Sequence, residues 1–207
     1  MVYETSKPMS RRQFLKLVGT GVLAVSFTSP FLQGCTPQDV GKIVQGLAEL
    51  ATLINNYRTQ NGLSAIPISS AMTAVALAHV MDLNNYHPEK NCGGNTHSWS
   101  TNGKWKGGCY DPNNSATYPI MWDKPKEIAN YASKGESICY TPGTGYEIAM
   151  WGSGAVTAQS ALNTWQGSPP HNDVILNKGM WSCAKWRALG AAVSGNYAVA
   201  WFGEDSN

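Results

Sequence analysis

At 207 residues, with 15 basic and 13 acidic side chains and a formal net charge of +2, the chain is long enough for one domain with an ordinary core. Four of the basic residues fall within the first 34, so from Cys35 onward 11 basic residues face 12 acidic ones. No run of Lys and Arg remains there to grip a phosphate backbone, which excludes nucleic acid as a partner.

The N-terminal run Ser10-Arg11-Arg12-Gln13-Phe14-Leu15-Lys16 matches the twin-arginine export pattern and leads into an apolar stretch, Leu17 to Phe31. That stretch is interrupted by Gly19, Gly21 and Pro30 and falls short of the roughly 20 apolar residues that span a bilayer. Residues 1–34 therefore read as an export signal and not as a transmembrane anchor. Its end, Leu32-Gln33-Gly34-Cys35, resembles the lipobox at which bacterial lipoproteins are cleaved and acylated, with Gln33 where that pattern has a smaller residue. Acylated Cys35 would tether the protein to a membrane surface, with residues 35–41 as the tether. The expected location is the cell envelope, periplasmic or outer surface, or the medium.

From Lys42 to Asn61, Ile43, Leu47, Leu50, Ile54 and Tyr57 recur at steps of three and four, and Asn61-Gly62 supplies a stop. Ser69 and Ser70 can cap a second helix with Met72, Val75, Ala76, His79, Val80, Leu83 and Tyr86 on one face. A histidine inside such a stripe reads as a hydrogen-bonded core residue. Between His87 and Ile120 the periodicity disappears, and a loop this long in a compact domain calls for a function or a staple. Short helices are expected from Pro125 to Ala132 and from Ala155 to Trp165. Strands are expected at Ser137–Tyr140, Tyr146–Met150, Trp186–Val193 and Tyr197–Phe202, the last two joined by a Ser194-Gly195-Asn196 turn. Helices mixed with a small antiparallel sheet define an α+β class, in a single domain over residues 42–207.

Setting Cys35 aside leaves Cys92, Cys109, Cys139 and Cys183, an even set in an exported chain and hence two disulfides. Of the three possible pairings, Cys92 with Cys109 closes a local loop and leaves Cys139 with Cys183. A zinc site is the alternative, but no C-x-x-C pair is present.

Trp165-Gln166-Gly167-Ser168-Pro169-Pro170-His171-Asn172-Asp173-Val174-Ile175-Leu176-Asn177 places a tryptophan, Ser-Pro, a histidine and Ile-Leu-Asn in register. Pro169-Pro170 leads to the expectation of a stiff, extended approach to His171. Together with Gly145-Tyr146-Glu147-Ile148-Ala149, Gly190-Ala191-Ala192-Val193 and Trp201-Phe202-Gly203, this motif resembles the bacterial branch of the CAP superfamily. That group takes in cysteine-rich secretory proteins, antigen 5 and pathogenesis-related proteins of group 1. The resemblance covers about residues 45–204. It implies a three-layer α-β-α sandwich with a mainly antiparallel central sheet and a cleft lined by two histidines and acidic residues.

Carried over residue by residue, His171 and His97 match the cleft histidines, and His79 matches a helix histidine outside the cleft. The family's glutamate has two partial matches. Glu147 keeps the distance to Trp165, whereas Glu136 in Gly135-Glu136-Ser137-Ile138 keeps the local pattern; Glu147 is favoured. Ser168 stands near the place of a second glutamate, and Pro170 replaces a glycine.

Two imidazoles and a carboxylate, His97, His171 and Glu147, could hold a divalent metal such as zinc or act as general acid and base. No nucleophile accompanies them. The expected function is a monomeric, surface-tethered binding module for an extracellular lipid, sterol or envelope glycan, with Trp99, Trp105, Trp122 and Trp151 as stacking surface. The alternative is a metal-dependent hydrolase of envelope peptides or glycans.

Overall fold

A computed structural model describes residues 37–131 and 145–206. The export signal, Cys35, Glu136, Cys139 and the strand expected at 137–140 lie outside the described residues.

The first helix, α1 (Pro37–Gln60), starts at Pro37 and not at Lys42. Proline suits a first helical position because its φ is already helical and its missing N–H would have no partner there. Most of the segment expected to be a tether is therefore helical. Gly62, at φ +77°, provides the left-handed residue just past the end of α1. The second helix, α2 (Ser70–Tyr86), is capped as expected: the Ser69 side chain accepts a hydrogen bond from Met72 N–H at 3.1 Å. Just before it, Ser69 N–H donates to Leu189 O and Leu189 N–H donates to Pro67 O, which stitches the start of α2 to the sheet.

Three strands, β1 (Tyr146–Trp151), β2 (Ala188–Ser194) and β3 (Tyr197–Gly203), form an antiparallel sheet in the order β1-β3-β2. Gly195, at φ +55°, turns the β2–β3 hairpin. In this register Glu147 lies opposite Trp201, which lies opposite Gly190. The two-residue period of a strand then sorts the side chains. Ile148, Leu189, Ala191, Ala198, Ala200 and Phe202 join Leu50 and Ile54 of α1 in one core, together with α5 (Ala158–Gln166) and α6 (Pro169–Leu176). Glu147 and Gly190, on the alternate register, meet α2 on the other face. Helices thus cover both faces of the sheet, as the expected sandwich requires.

The long loop is more structured than its composition suggests. It contains α3 (Pro88–Cys92), a 3-10 turn at Ser115–Met121 and, following it, α4 (Lys124–Ala129). Cys92 and Cys109 form the expected disulfide, and Trp99 and Gly108 exchange backbone hydrogen bonds at 2.9 Å inside it. Buried Asp82 of α2 anchors the same loop by accepting from Ser100 N–H at 2.8 Å and Ser100 Oγ at 2.5 Å. Cys183 is also disulfide-bonded. Its expected pairing with Cys139 lies outside the described residues.

The helix expected from Ala155 begins at Ala158. Thr157 is extended and caps it, with Thr157 and Ser160 exchanging side-chain and backbone hydrogen bonds in a reciprocal box.

Candidate functional site

The centre of the site is a carboxylate with no solvent exposure. Glu147 on β1 points at α2, where His79 falls on the inward stripe two turns after Met72. Its Oε1 is 2.5 Å from His79 Nδ1 and its Oε2 is 2.8 Å from His97 Nδ1. Burial acts to raise the Glu147 carboxyl, but the attraction and hydrogen bond of His79, and then those of His97, outweigh it and hold the group below the ordinary carboxylate range. On its far side, His79 Nε2 lies 3.0 Å from Ser98 O. A carbonyl can only accept, so Nε2–H donates to it. With Glu147 ionised, Nδ1 is a donor too, and the ring becomes the positive partner of a buried ion pair. Trp99 stacks on this ring at a centroid distance of 3.9 Å and 9° between planes.

His97 is the point at which this buried chemistry reaches the surface. Asn95 Oδ1 accepts from His97 N–H at 2.9 Å, a local turn that sets the backbone. Glu147 takes Nδ1, which leaves Nε2 without a partner among the described residues on a side chain that is 10% exposed. A carboxylate behind Nδ1 fixes the tautomer and makes Nε2 the better donor of a lone pair.

The second histidine is delivered differently from the sequence expectation. Pro169 and Pro170 are not an extended lead; they are the first two residues of α6, and His171 is the third. Prolines are tolerated there because the first turn's N–H groups have no intrahelical acceptor. Ser168 is the N-cap, yet its side chain makes no capping bond and instead lies 2.7 Å from His171 Nδ1. Burial first, and then the neighbouring charge of His97, push the His171 imidazole down to about 4. The rest of the motif is structural. Ile175 and Leu176 are core, and Asn177, at φ 50°, ends the helix while accepting from buried Arg58 and donating to Ala184 O.

A family model described as the cysteine-rich secretory protein family, CAP, matches residues 51–194. The chain belongs to that family. Among solved structures, an extracellular SCP-domain protein of Bacillus anthracis aligns at 15% identity and a TM-score of 0.55, covering 82% of this chain and 44% of that one. A cysteine-rich secretory protein of Staphylococcus aureus aligns at 15% identity and 0.47, covering 80% and 41%. An outer surface protein of Borrelia burgdorferi aligns at 15% and 0.43, covering 83% and 96%. The chain thus spans less than half the length of the first two. No curated protein matches it in sequence.

Within this CAP domain, Glu147 meets His97 directly, and after burial His97 is the neighbouring group that lowers the His171 pKa. Ser168 serves His171. Neither oxygen of Glu147 is turned outward, so it backs His97 instead of standing beside it as a third ligand. Of the tryptophans, Trp99 and Trp105 are buried, Trp122 is half-buried and Trp151 is 49% exposed at the end of β1. Sequence reasoning placed His79 in the core but missed its bond to Glu147. The only available signal was its place on the α2 stripe, because its partner is 68 residues away.

One measurement checks the electrostatics. His171 should stay neutral from pH 8 down to about pH 5 and protonate only near 4 in an NMR titration. A midpoint near the ordinary value of about 6.5 would show that neither burial nor His97 acts on it.

Proposed function

We propose that this chain is an exported CAP-domain monomer that binds an extracellular or envelope ligand across the surface carrying His97 and His171. The twin-arginine run and lipobox-like Cys35 support export and a tether to a membrane surface. A Bacillus anthracis protein of the same fold is described as extracellular, in keeping with that location.

The observation that carries the reading is the pair of imidazoles, each fixed through Nδ1, by Glu147 in one case and Ser168 in the other, with no partner on Nε2 among the described residues. With His171 Nδ1–H donated to Ser168 Oγ, both Nε2 atoms present lone pairs. Such a pair suits a divalent metal such as zinc, with His97 and His171 as ligands and Glu147 behind His97. The described residues offer no group of three His, Cys, Asp or Glu for a metal, so remaining positions would go to the ligand or solvent. A metal there would act as a Lewis acid toward a ligand oxygen. The hydrolase alternative is weaker. Efficient base catalysis wants a pKa near the working pH, and His171 is held near 4.

The test is zinc titration of the purified protein, paired with mass spectrometry of molecules retained from an envelope extract. His97→Ala and His171→Ala should each abolish zinc binding and reduce retention, and Glu147→Gln should weaken zinc about 10–100-fold. If zinc binding and retention both survive the two alanine substitutions, the cleft reading fails.

A further inference from the structure

Beside His97 the surface opens into a groove of about 410 Å³, within the range of roughly 300–1,000 Å³ typical of small-molecule sites. It is lined by the disulfide Cys92–Cys109 and by residues 93–95 and 110–113. Tyr110 joins the groove to the site, since its ring sits edge-on to His97 at a centroid distance of 5.2 Å. Tyr118 supports that ring by stacking on Tyr110 at 5.9 Å and 25°. Both tyrosines are half-buried, so part of each ring faces solvent.

Part of the polar complement of the groove is unspent among the described residues. Asn95 uses Oδ1 on His97 N–H and keeps its amide N–H₂. Asp111 uses Oδ1 on Asn113 N–H and keeps Oδ2, while the Asn113 amide has no side-chain partner among the described residues. The groove therefore has spare donors and acceptors together with an aromatic ring. The lining is also held in place. Thr117 Oγ1 bonds both Asp111 O and Asp111 N–H at 3.0 Å, and Tyr118 OH donates to Pro112 O at 2.7 Å. A site already ordered before binding avoids the entropy of ordering it on contact.

We infer that this groove is a saccharide subsite, in which Tyr110, held from behind by Tyr118, stacks on the apolar face of a sugar ring and Asn95, Asp111 and Asn113 take its hydroxyl or acetamido groups. A sugar offers an apolar C–H face and a rim of paired donors and acceptors, and the groove offers their counterparts. An acyl chain or sterol needs aliphatic walls, and among the described residues no Val, Ile, Leu, Met or Phe lines this groove. The inference rests on the His97–His171 surface being a ligand site and gives that ligand a chemical class.

The test is calorimetric titration of the purified protein with β-1,4-linked N-acetylglucosamine oligomers, from the monomer to the tetramer, with palmitate as competitor. The tetramer should bind more tightly than the monomer and palmitate should not displace it. Tyr118→Ala should weaken it about ten-fold. Asn113→Ala, on an exposed side chain with no hydrogen bond among the described residues, should weaken it several-fold with unchanged thermal unfolding. Absence of saturable binding, indifference to both substitutions, or displacement by palmitate would each overturn the saccharide assignment. His171-dependent retention of an envelope extract without oligomer binding overturns the saccharide class alone. Tyr118-dependent oligomer binding that ignores His171→Ala supports the groove and, where zinc binding and retention also survive the alanine substitutions, overturns the cleft reading.

Discussion

Replacing Glu147 with alanine should destabilise the domain by about 3–5 kcal/mol, the range seen when one partner of a buried ion pair is removed and the other is left uncompensated. His79 has no solvent exposure, so once the carboxylate is gone its Nδ1 loses its hydrogen-bond partner in a buried position. At this chain length each kcal/mol moves Tm by roughly 2–4 °C, which puts the expected fall near 10 °C or more. Glu147→Gln keeps the shape and one acceptor oxygen, so it should lose less. The two variants also separate charge from packing through pH. The Glu147 pKa is lower in the folded protein than its unfolded value of about 4.5, so its contribution is fully present above that value and disappears as the pH falls through the folded value. Wild type should therefore lose stability steeply in acid, and Glu147→Gln should lose it less steeply. Urea unfolding followed by circular dichroism at neutral pH and in acid measures both effects. Equal slopes for the two proteins would mean that the carboxylate is not ionised in the fold.

His171 adds to the same limb by a separate route. Its folded pKa of about 4 lies below the ordinary 6.5, so the unfolded chain binds more protons between those values and stability drops as pH falls across that window. The domain is thus built for neutral conditions, with one buried carboxylate kept charged and one imidazole kept uncharged.

Much of this arrangement could be read from local chemistry. The stripe on α2, the Ser69 cap, the apolar runs of β1 and β3 and the Cys92–Cys109 staple all follow from patterns within a few turns of chain. Other parts depend on where distant segments meet. Residues 37–41 looked like a tether because the apolar period starts later, and one proline at a helix start overrode that pattern. Pro169-Pro170 read as extended because two consecutive prolines usually are. They became helical because α6 begins with them, where the first N–H groups need no acceptor. The union of His79, Glu147 and His97 was the least accessible feature. It needs strand register to aim Glu147 at α2, and it needs the Asp82 anchor and the disulfide to hold the loop carrying His97.

The approach of α2 to the sheet makes that union possible, and it hangs on one missing methyl group. A Cβ at Gly190 would sit 2.0 Å from Met72 C and 2.1 Å from Thr73 N, both backbone atoms that no rotamer change can move. Gly190→Ala should therefore lift the start of α2 from β2. The expected cost is at or above the 1–3 kcal/mol typical of overpacking, and Gly190→Val should not fold. The backbone conformation at this position is open to any residue, so the demand for glycine is purely steric. His79 is on the same helix face two turns beyond Met72, and a lifted helix stretches its 2.5 Å contact with Glu147. Gly190→Ala should accordingly also weaken any binding that depends on His97, although residue 190 touches neither histidine. Gly167→Ala is the control, because a Cβ there meets nothing closer than 3.7 Å at φ −78° and should change stability by less than about 0.5 kcal/mol. If Gly190→Ala matched that control in urea unfolding, the tight seam between α2 and β2 would not be what positions the buried pair.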